Sequence, residues 1–216
     1  SARSDGEQKL SFSQKLVKGL EKFVNANMER FVQICPRSIM AILAKILFWP
    51  TLWWNQLLQS QKQGYEKRNW YDRITDNVIC GALPYAKLVP KLREEGVTHV
   101  VNMVAEWGGP EKEYKEQGIV QRRFPVIDFT PPTLQDIETA TDYISQIVNE
   151  GGTVYVHCKA GRGRAASVCM AYLMKEKKMS LMQAQQHLEE KRPHVLHMLY
   201  QRPVLREFAG KLGQLD

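Results

Sequence analysis

The 216-residue sequence contains only four cysteines, and none of them forms a C-x-x-C pair. Their irregular spacing fits neither a disulfide framework nor a structural zinc site. The sequence also lacks an internal repeat and a low-complexity tract, which argues against a solenoid or a largely disordered chain. We therefore expect a chain from a reducing compartment, folded around one good hydrophobic core and without a metal or another cofactor.

Net positive charge is small outside the first third of the chain, where 19 Lys/Arg face 18 Asp/Glu. Residues 1–68 hold 11 Lys/Arg and 5 Asp/Glu, a net charge of +6 out of +7 for the whole sequence. The remainder has no basic stripe, so we exclude nucleic acid as a partner of that part. A polar stretch at residues 59–68 marks the predicted boundary between a helical extension, residues 1–68, and a globular domain, residues 69–216.

Long hydrophobic runs without charge are also missing. The most apolar segment, residues 39–58, has nearly the length of a bilayer span, but Lys45 near its middle would cost about 2.5–3.5 kcal/mol on insertion. Its tryptophans favour the headgroup level. Residues 9–34 have the spacing of a basic amphipathic helix. We predict that residues 9–58 associate with a membrane surface; the alternative is a helix pair packed on the domain or on a second copy of the chain.

Strand and helix patterns alternate after the boundary. The apolar spacing predicts strands at 78–80, 97–103, 120–126 and 153–156, and helices at 85–94, 111–117, 134–149, 165–177, 181–191 and 200–211. Such alternation is typical of an α/β domain with a mostly parallel central sheet flanked by helices.

Residues 154–164, V-Y-V-H-C-K-A-G-R-G-R, predict a strand, a tight loop and a helix start. Unpaired backbone N–H groups and the positive end of the helix dipole favour a phosphate-sized anion there. The same field favours the thiolate of Cys158, and Arg164 can return its planar guanidinium over the anion. The residues expected to bind the phosphate are His157, Lys159, Ala160, Gly161, Arg162 and Gly163.

Lys159 and Arg162 add two cations to this loop beyond Arg164. Extra positive charge suits a substrate with more negative charge than a single phosphate. The alternative is that both side chains are ordinary surface charges.

A second chemical element is V-I-D-F-T-P-P-T, residues 126–133. Asp128 precedes two prolines, so we expect it on a stiff, exposed loop. Thr133 and Asp136 have the spacing of a capping box, which gives Asp136 a structural role and leaves Asp128 for chemistry. When a phosphate ester is cleaved, its alcohol leaves poorly as an alkoxide and needs a proton donor. Asp128 is our candidate for that donor.

The run H-C-K-A-G-R-G-R resembles the H-C-x5-R signature of cysteine-dependent protein tyrosine and dual-specificity phosphatases. This resemblance implies that Cys158 is the nucleophile, that Arg164 binds the transferring phosphate, and that Asp128, 30 residues upstream, is the general acid. No metal is implied.

A longer resemblance covers about three quarters of the chain: L-F-W-P-T-L (47–52), N-W-Y-D-R-I (69–74), G-A-L-P (81–84) and L-R-E-F (205–208). These motifs are similar to those of mitochondrial dual-specificity lipid phosphatases that remove the terminal phosphate of phosphatidylglycerophosphate. They imply an anionic phospholipid substrate in cardiolipin synthesis and a location at the matrix face of the inner mitochondrial membrane; a cytoplasmic, membrane-associated protein is the alternative.

The chain departs from that pattern in three places. Ala165 replaces the Ser or Thr that usually follows the loop arginine and helps sulfur to leave, so we predict a slow second step, or a substitute role for Ser167 or water. Only Glu106 matches an acidic run of the family, and Met198-Leu199 replaces a usual Arg-Pro. Protein phosphatase, glucan phosphatase and non-catalytic phosphate-binding functions stay open as alternatives, as does an oligomer.

Overall fold

The computed structural model describes residues 35–60 and 69–215, which include most of the predicted globular domain. The predicted amphipathic helix at 9–34 lies outside the described residues. The first described element is helix α1 (Arg37–Ser60), which contains Pro50 and extends through the start of the predicted linker. Among the described helices, none combines the length and the apolar character needed to cross a membrane.

The domain is built on a five-stranded sheet in the order β1-β2-β5-β3-β4. Its strands are β1 (Tyr71–Thr75), β2 (Val78–Gly81), β3 (Val97–Val104), β4 (Val120–Val126) and β5 (Thr153–His157). Strand β1 pairs antiparallel with β2, and the other neighbours are parallel. The predicted α/β class with a mostly parallel sheet is confirmed, whereas the edge strand β1 was not predicted.

Short helices cover one face of the sheet and long helices cover the other. They are α2 (Val89–Glu94), α3 (Glu111–Glu116), α4 (Leu134–Asn149), α5 (Arg164–Lys177), α6 (Leu181–Lys191) and α7 (Pro203–Leu212), with 3-10 turns at Ala86–Leu88 and Leu199–Gln201. The last predicted helix, 200–211, is therefore a 3-10 turn followed by α7, which begins at Pro203 because proline is favoured in the first helical turn.

Strand β5 shows why the sheet has two cores. Val154 and Val156 point into the larger core under α4 to α7, while Tyr155 points into the smaller core with Val89 and Tyr114. This alternation follows from the two-residue period of a strand. All five residues of β5 are buried, so the loop that follows it begins from a rigid, central position.

Helix α1 packs on the domain through one face. Phe48 and Leu52 belong to the larger core, and the Gln56 amide donates a hydrogen bond to the Tyr85 hydroxyl. The opposite face leaves large apolar side chains exposed, among them Trp49 and Trp53. The helix thus packs on the domain and also presents an apolar surface.

Candidate active site

The loop from Cys158 to Gly163 joins the end of β5 to the start of α5. The backbone of Gly161 has φ +65, and a Cβ there would lie 2.4 Å from the Gly81 carbonyl oxygen and 2.8 Å from Arg192 Nη2. Only glycine combines a left-handed backbone with such a close approach. The tight loop that the sequence predicted is therefore required by the neighbouring strand as well as by its own residues.

The five loop carbonyls from Lys159 to Gly163 are hydrogen-bonded to groups outside the loop. The Lys159 carbonyl accepts from Leu83 N at 3.2 Å and the Arg162 carbonyl accepts from Leu196 N at 3.1 Å. Arg192 donates to the carbonyls of Ala160 at 3.2 Å and Gly161 at 2.8 Å, and Ser167 N donates to Gly163 O at 2.8 Å. Because the C=O and N–H of a trans peptide point in opposite directions, this arrangement turns the following amides toward the inside of the loop.

Cys158 lies in this ring of amides and is only 3% exposed. Gly161 N donates a hydrogen bond to Cys158 Sγ at 3.2 Å. The sulfur also lies near the N-terminus of the 14-residue helix α5, where the helix dipole favours negative charge. The structure thus brings together the thiol and the amide ring that the sequence predicted.

Arg164 lies on the first turn of α5 and is held by three partners. Its guanidinium donates to the Val126 carbonyl at 2.7 Å and to Asp128 Oδ1 at 2.6 Å, and Nη1 lies 3.5 Å from Glu106 Oε2. The side chain is 4% exposed. These contacts hold the planar guanidinium in one position, and a guanidinium held in this way can bind two phosphate oxygens at once.

The expectation that Asp128 lies on an exposed loop is wrong. Asp128 is 7% exposed and forms ion pairs with Arg164 and Lys159. Its backbone N–H donates to Glu106 Oε1 at 2.8 Å, which draws the loop after β4 into the site. The two prolines stiffen the segment, but the direction it takes is set by these charged partners. The predicted capping box of Thr133 and Asp136 is present.

The two cations decide the charge of Asp128. Burial alone would raise the pKa of its carboxyl, but Arg164 and Lys159 outweigh burial and hold the pKa below its ordinary value. The carboxylate is therefore ionised in the unliganded site. A phosphate dianion bound to the same cations would remove their effect and add negative charge, and both changes raise the pKa of Asp128.

Lys159 is not a surface charge, contrary to the alternative left open for it. Its side chain is 5% exposed and lies between Asp128 and helix α1. The ammonium donates to Thr51 Oγ1 at 2.6 Å, and it lies 5.7 Å from the ring centroid of Phe48 and 4.9 Å from that of Phe129. Lys159 thus connects the site to helix α1.

The other predicted binding residues have mainly structural contacts. Arg162 Nε donates to the His194 carbonyl at 2.8 Å. His157 is fully buried, and its Nδ1 lies 3.3 Å from the Cys158 carbonyl oxygen. Burial lowers the pKa of His157 to about 3, so the ring is neutral near pH 7. His157 therefore packs behind the loop and adds no charge to it.

Ala165 is fully buried at the position where a hydroxyl was expected. The Ser167 hydroxyl, considered as its substitute, donates to the Gly163 carbonyl at 3.0 Å and accepts from Arg202 Nη1 at 2.9 Å. Its proton is directed at the loop backbone. In this arrangement Ser167 does not replace the missing hydroxyl.

Four contributors were not identified from the sequence as site residues. Glu106, noted only as part of a family run, contacts both Asp128 and Arg164. Arg192 and Asp72 pair behind the loop, and Thr51 contacts Lys159. Asp72 and Thr51 lie inside the motifs N-W-Y-D-R-I and L-F-W-P-T-L, so these motifs could have identified them as contributors to the site.

The chain is similar to proteins of known activity. Residues 78–210 match the dual specificity phosphatase catalytic domain. The phosphatidylglycerophosphate phosphatase PTPMT2 of Arabidopsis thaliana is 36% identical over 80% of this chain and 76% of its own length. The human phosphatidylglycerophosphatase and protein-tyrosine phosphatase 1 is 35% identical over 79% of this chain and 88% of its own.

A solved structure of PTPMT1 in complex with PI(5)P also has a similar fold. It is 32% identical, with a TM-score of 0.61, and the match covers 67% of this chain and 97% of that one. The phosphatase signature suggested by the sequence is confirmed by these comparisons, and the chain belongs to the dual specificity phosphatase family.

Proposed function

We propose that the protein hydrolyses the terminal phosphate of an anionic phospholipid, phosphatidylglycerophosphate, through a cysteinyl-phosphate intermediate. The observation that carries the reaction type is the position of Cys158 Sγ, which accepts a hydrogen bond from Gly161 N inside a ring of inward-facing amides. A thiolate in that position faces the place where the amides and Arg164 would hold a phosphate. The substrate class is supported by the names of the relatives.

In the first step the Cys158 thiolate attacks phosphorus, a P–S bond forms, and the P–O ester bond breaks. Arg164 and the loop amides hold the equatorial oxygens, where charge resides in a loose transition state. Asp128 becomes protonated when phosphate binds to Arg164 and Lys159, and it gives this proton to the leaving alkoxide. The product alcohol is the dephosphorylated lipid.

In the second step water attacks the phosphorus of the cysteinyl phosphate. The Asp128 carboxylate accepts a proton from the water, the P–S bond breaks, and the thiolate and inorganic phosphate are released. Because Ala165 offers no hydroxyl to the departing sulfur, this step is the slower one.

Charge at the site supports a lipid with an anionic headgroup. Lys159 and Arg164 lie on either side of Asp128, so two cations converge at the place that a phosphate would enter. The net charge of +6 on residues 1–68 is complementary to an anionic bilayer. We place the protein at the matrix face of the inner mitochondrial membrane, associated through residues 9–58, and a tagged full-length chain followed through organelle fractionation tests this location.

Phosphate release from a panel of lipid monoesters tests the substrate. Phosphatidylglycerophosphate, phosphatidic acid and phosphatidylinositol monophosphates are presented in the same detergent micelles, with Cys158→Ser as the inactive control. We expect the highest kcat/KM for phosphatidylglycerophosphate. If another lipid is preferred by more than tenfold, the proposed headgroup is wrong while the chemistry stands.

A second candidate is a protein phosphatase. It is favoured by the human relative, whose name includes protein-tyrosine phosphatase, and by dual specificity phosphatase 28, which is 33% identical over 56% of this chain. Soluble phosphotyrosine and phosphothreonine peptides assayed beside the lipid panel distinguish the two functions, since a protein phosphatase would turn over peptides faster than dispersed lipid.

A further inference from the structure

We propose that helix α1 is a working part of the active site, with an inner face that positions Lys159 and an outer face that docks on the lipid bilayer presenting the substrate. The proposal rests on the lipid phosphatase function only for its outer face. The inner-face contacts apply to any phosphate monoester.

The inner face reaches Lys159 through two residues on the same side of the helix. Thr51 Oγ1 accepts a hydrogen bond from the Lys159 ammonium at 2.6 Å, and the Phe48 ring centroid lies 5.7 Å from the same nitrogen. Phe48 and Thr51 are three positions apart, so they lie side by side on the helix surface. The Thr51 hydroxyl donates to the Leu47 carbonyl at 2.5 Å, which leaves its lone pairs to face Lys159.

These contacts set the direction of a buried charge. An ammonium has three donors, and Lys159 directs one to Thr51 and one to the Asp128 carboxylate. Without Thr51, the long side chain would be free to follow Asp128 alone. Thr51 is therefore a positioning residue, which keeps the Lys159 charge at the phosphate entrance.

Helix α1 is fixed to the domain firmly enough to serve this purpose. Phe48 and Leu52 are each 2% exposed and belong to the larger core. One turn further along, the Gln56 amide donates to the Tyr85 hydroxyl. The helix is thus held on both sides of Thr51.

The outer face carries an apolar stripe. It consists of Ile42, Ile46, Trp49 and Trp53, with exposed fractions from 59% to 65%. At 3.6 residues per turn, all four lie roughly opposite Thr51 on the helix. Exposed tryptophans beside a basic segment are typical of a helix in the headgroup region of an anionic bilayer. We therefore assign the stripe to a lipid surface.

A double-mutant cycle on p-nitrophenyl phosphate tests the inner face in the full-length protein. Loss of a hydrogen bond to a charged group predicts that Thr51→Val lowers kcat/KM about tenfold, mainly through KM. Thr51→Ser retains the hydroxyl and should restore activity. In the Lys159→Met background Thr51→Val should change kcat/KM by less than twofold.

The cycle has a clear contrary outcome. Equal effects of Thr51→Val with and without Lys159 would show that Thr51 acts independently of the lysine and would overturn the positioning role, as would no effect at all. Thermal unfolding of each variant identifies loss of fold, and Thr51→Ala replaces Thr51→Val if the latter does not fold.

Vesicles of phosphatidylcholine and phosphatidylglycerol in equal parts test the outer face. The double variant Trp49→Ala/Trp53→Ala should lose vesicle binding and at least tenfold of its activity on phosphatidylglycerophosphate in those vesicles, while hydrolysis of p-nitrophenyl phosphate stays within twofold. Equal losses on both substrates would overturn the docking role.

Light scattering tests whether a second copy of the chain covers the apolar stripe of α1. A wild-type dimer that becomes a monomer in the double variant, with unchanged vesicle binding, would assign the stripe to self-association and overturn the lipid assignment. If the wild type hydrolyses p-nitrophenyl phosphate but no lipid, the proposed substrate fails while the Thr51 cycle still decides the inner-face role.

Discussion

Arg192 and Asp72 form an ion pair behind the phosphate-binding loop, with 2.5 Å between Arg192 Nη1 and Asp72 Oδ2. The Arg192 side chain is fully buried, and its other nitrogens donate to the carbonyls of Gly161 and Ala160. One arginine from the end of α6 therefore joins edge strand β1 to the backbone of the loop. The orientation of the loop amides depends on a residue 34 positions after Cys158.

Replacement of Arg192 by Met should damage both stability and phosphate binding. It leaves the Asp72 carboxylate and two loop carbonyls without their partner, and breaking a buried ion pair costs about 3–5 kcal/mol. Urea unfolding and tungstate binding measure the two effects. Arg73→Met is the control, because Arg73 pairs with Glu95 near the surface and should change stability by less than about 1 kcal/mol. Similar small losses in both variants would contradict the structural role of Arg192.

Gly161→Ala should abolish phosphate binding. The new Cβ would approach the Gly81 carbonyl within 2.4 Å in a backbone with φ +65. Gly118→Ala is a matched control, because Gly118 has φ +64 and no atom within 4 Å of the added Cβ. Gly118→Ala should lose only the stability that an alanine in a left-handed backbone costs, about 1–2 kcal/mol, and it should keep its turnover. Equal activity of the two variants would exclude crowding as the reason for glycine at position 161.

Asp128→Asn should slow the first step, measured as kcat/KM, about 10²–10⁴-fold on an alkyl phosphate, whose leaving oxygen needs a proton donor. The loss should be much smaller with p-nitrophenyl phosphate, whose leaving group needs less protonation. Asp136→Asn weakens the capping box and should lower stability by about 1 kcal/mol without changing turnover. Stopped-flow measurement of both substrates checks this. Equal losses on the two substrates would mean that Asp128 is not the acid.

Ala165→Ser should accelerate breakdown of the phosphoenzyme. The wild type lacks a hydroxyl beside the departing sulfur, so rapid mixing with p-nitrophenyl phosphate should show a burst of one p-nitrophenol per enzyme and then slow turnover. The serine variant should show a smaller burst and faster steady state. Ser167→Ala is the control, since that hydroxyl is bonded to Gly163 and Arg202, and it should leave the burst unchanged. A wild type without a burst would reject the slow second step.

His157 should make the protein less stable as pH falls below neutrality. Burial lowers its folded pKa to about 3, while the unfolded pKa is about 6.5, so between these values the unfolded chain binds a proton that the folded chain does not. The contribution of His157 to the free energy of unfolding is therefore complete above pH 6.5 and decreases by about 1.4 kcal/mol per pH unit below that value. Urea unfolding from pH 7 to 4.5 should give a slope smaller by one proton in His157→Asn. Because salt screens interactions between charges and the pKa of His157 is lowered by burial, the slope should persist in 0.5 M salt. An unchanged slope in His157→Asn would contradict the role of His157.

Local patterns in the sequence determined most of the regular structure. Strand β4 and helices α4 and α6 begin and end where their apolar periodicity predicts, and the Thr133 capping box needs only residues three apart. Strand β1 was missed because it has four exposed or half-exposed residues among five, and its pairing with β2 comes from a partner strand.

The sequence by itself determined the place of the phosphate-binding loop and its reacting groups, because strand, glycines, Cys158 and Arg164 follow one another within a few residues. Only the tertiary structure decided the environment of Asp128 and Lys159. Their burial and charge depend on Arg164, Glu106 and Thr51, which come from separate elements. Side-chain burial and pairing are set by which surfaces meet after folding, and the order of residues along the chain does not record those distances.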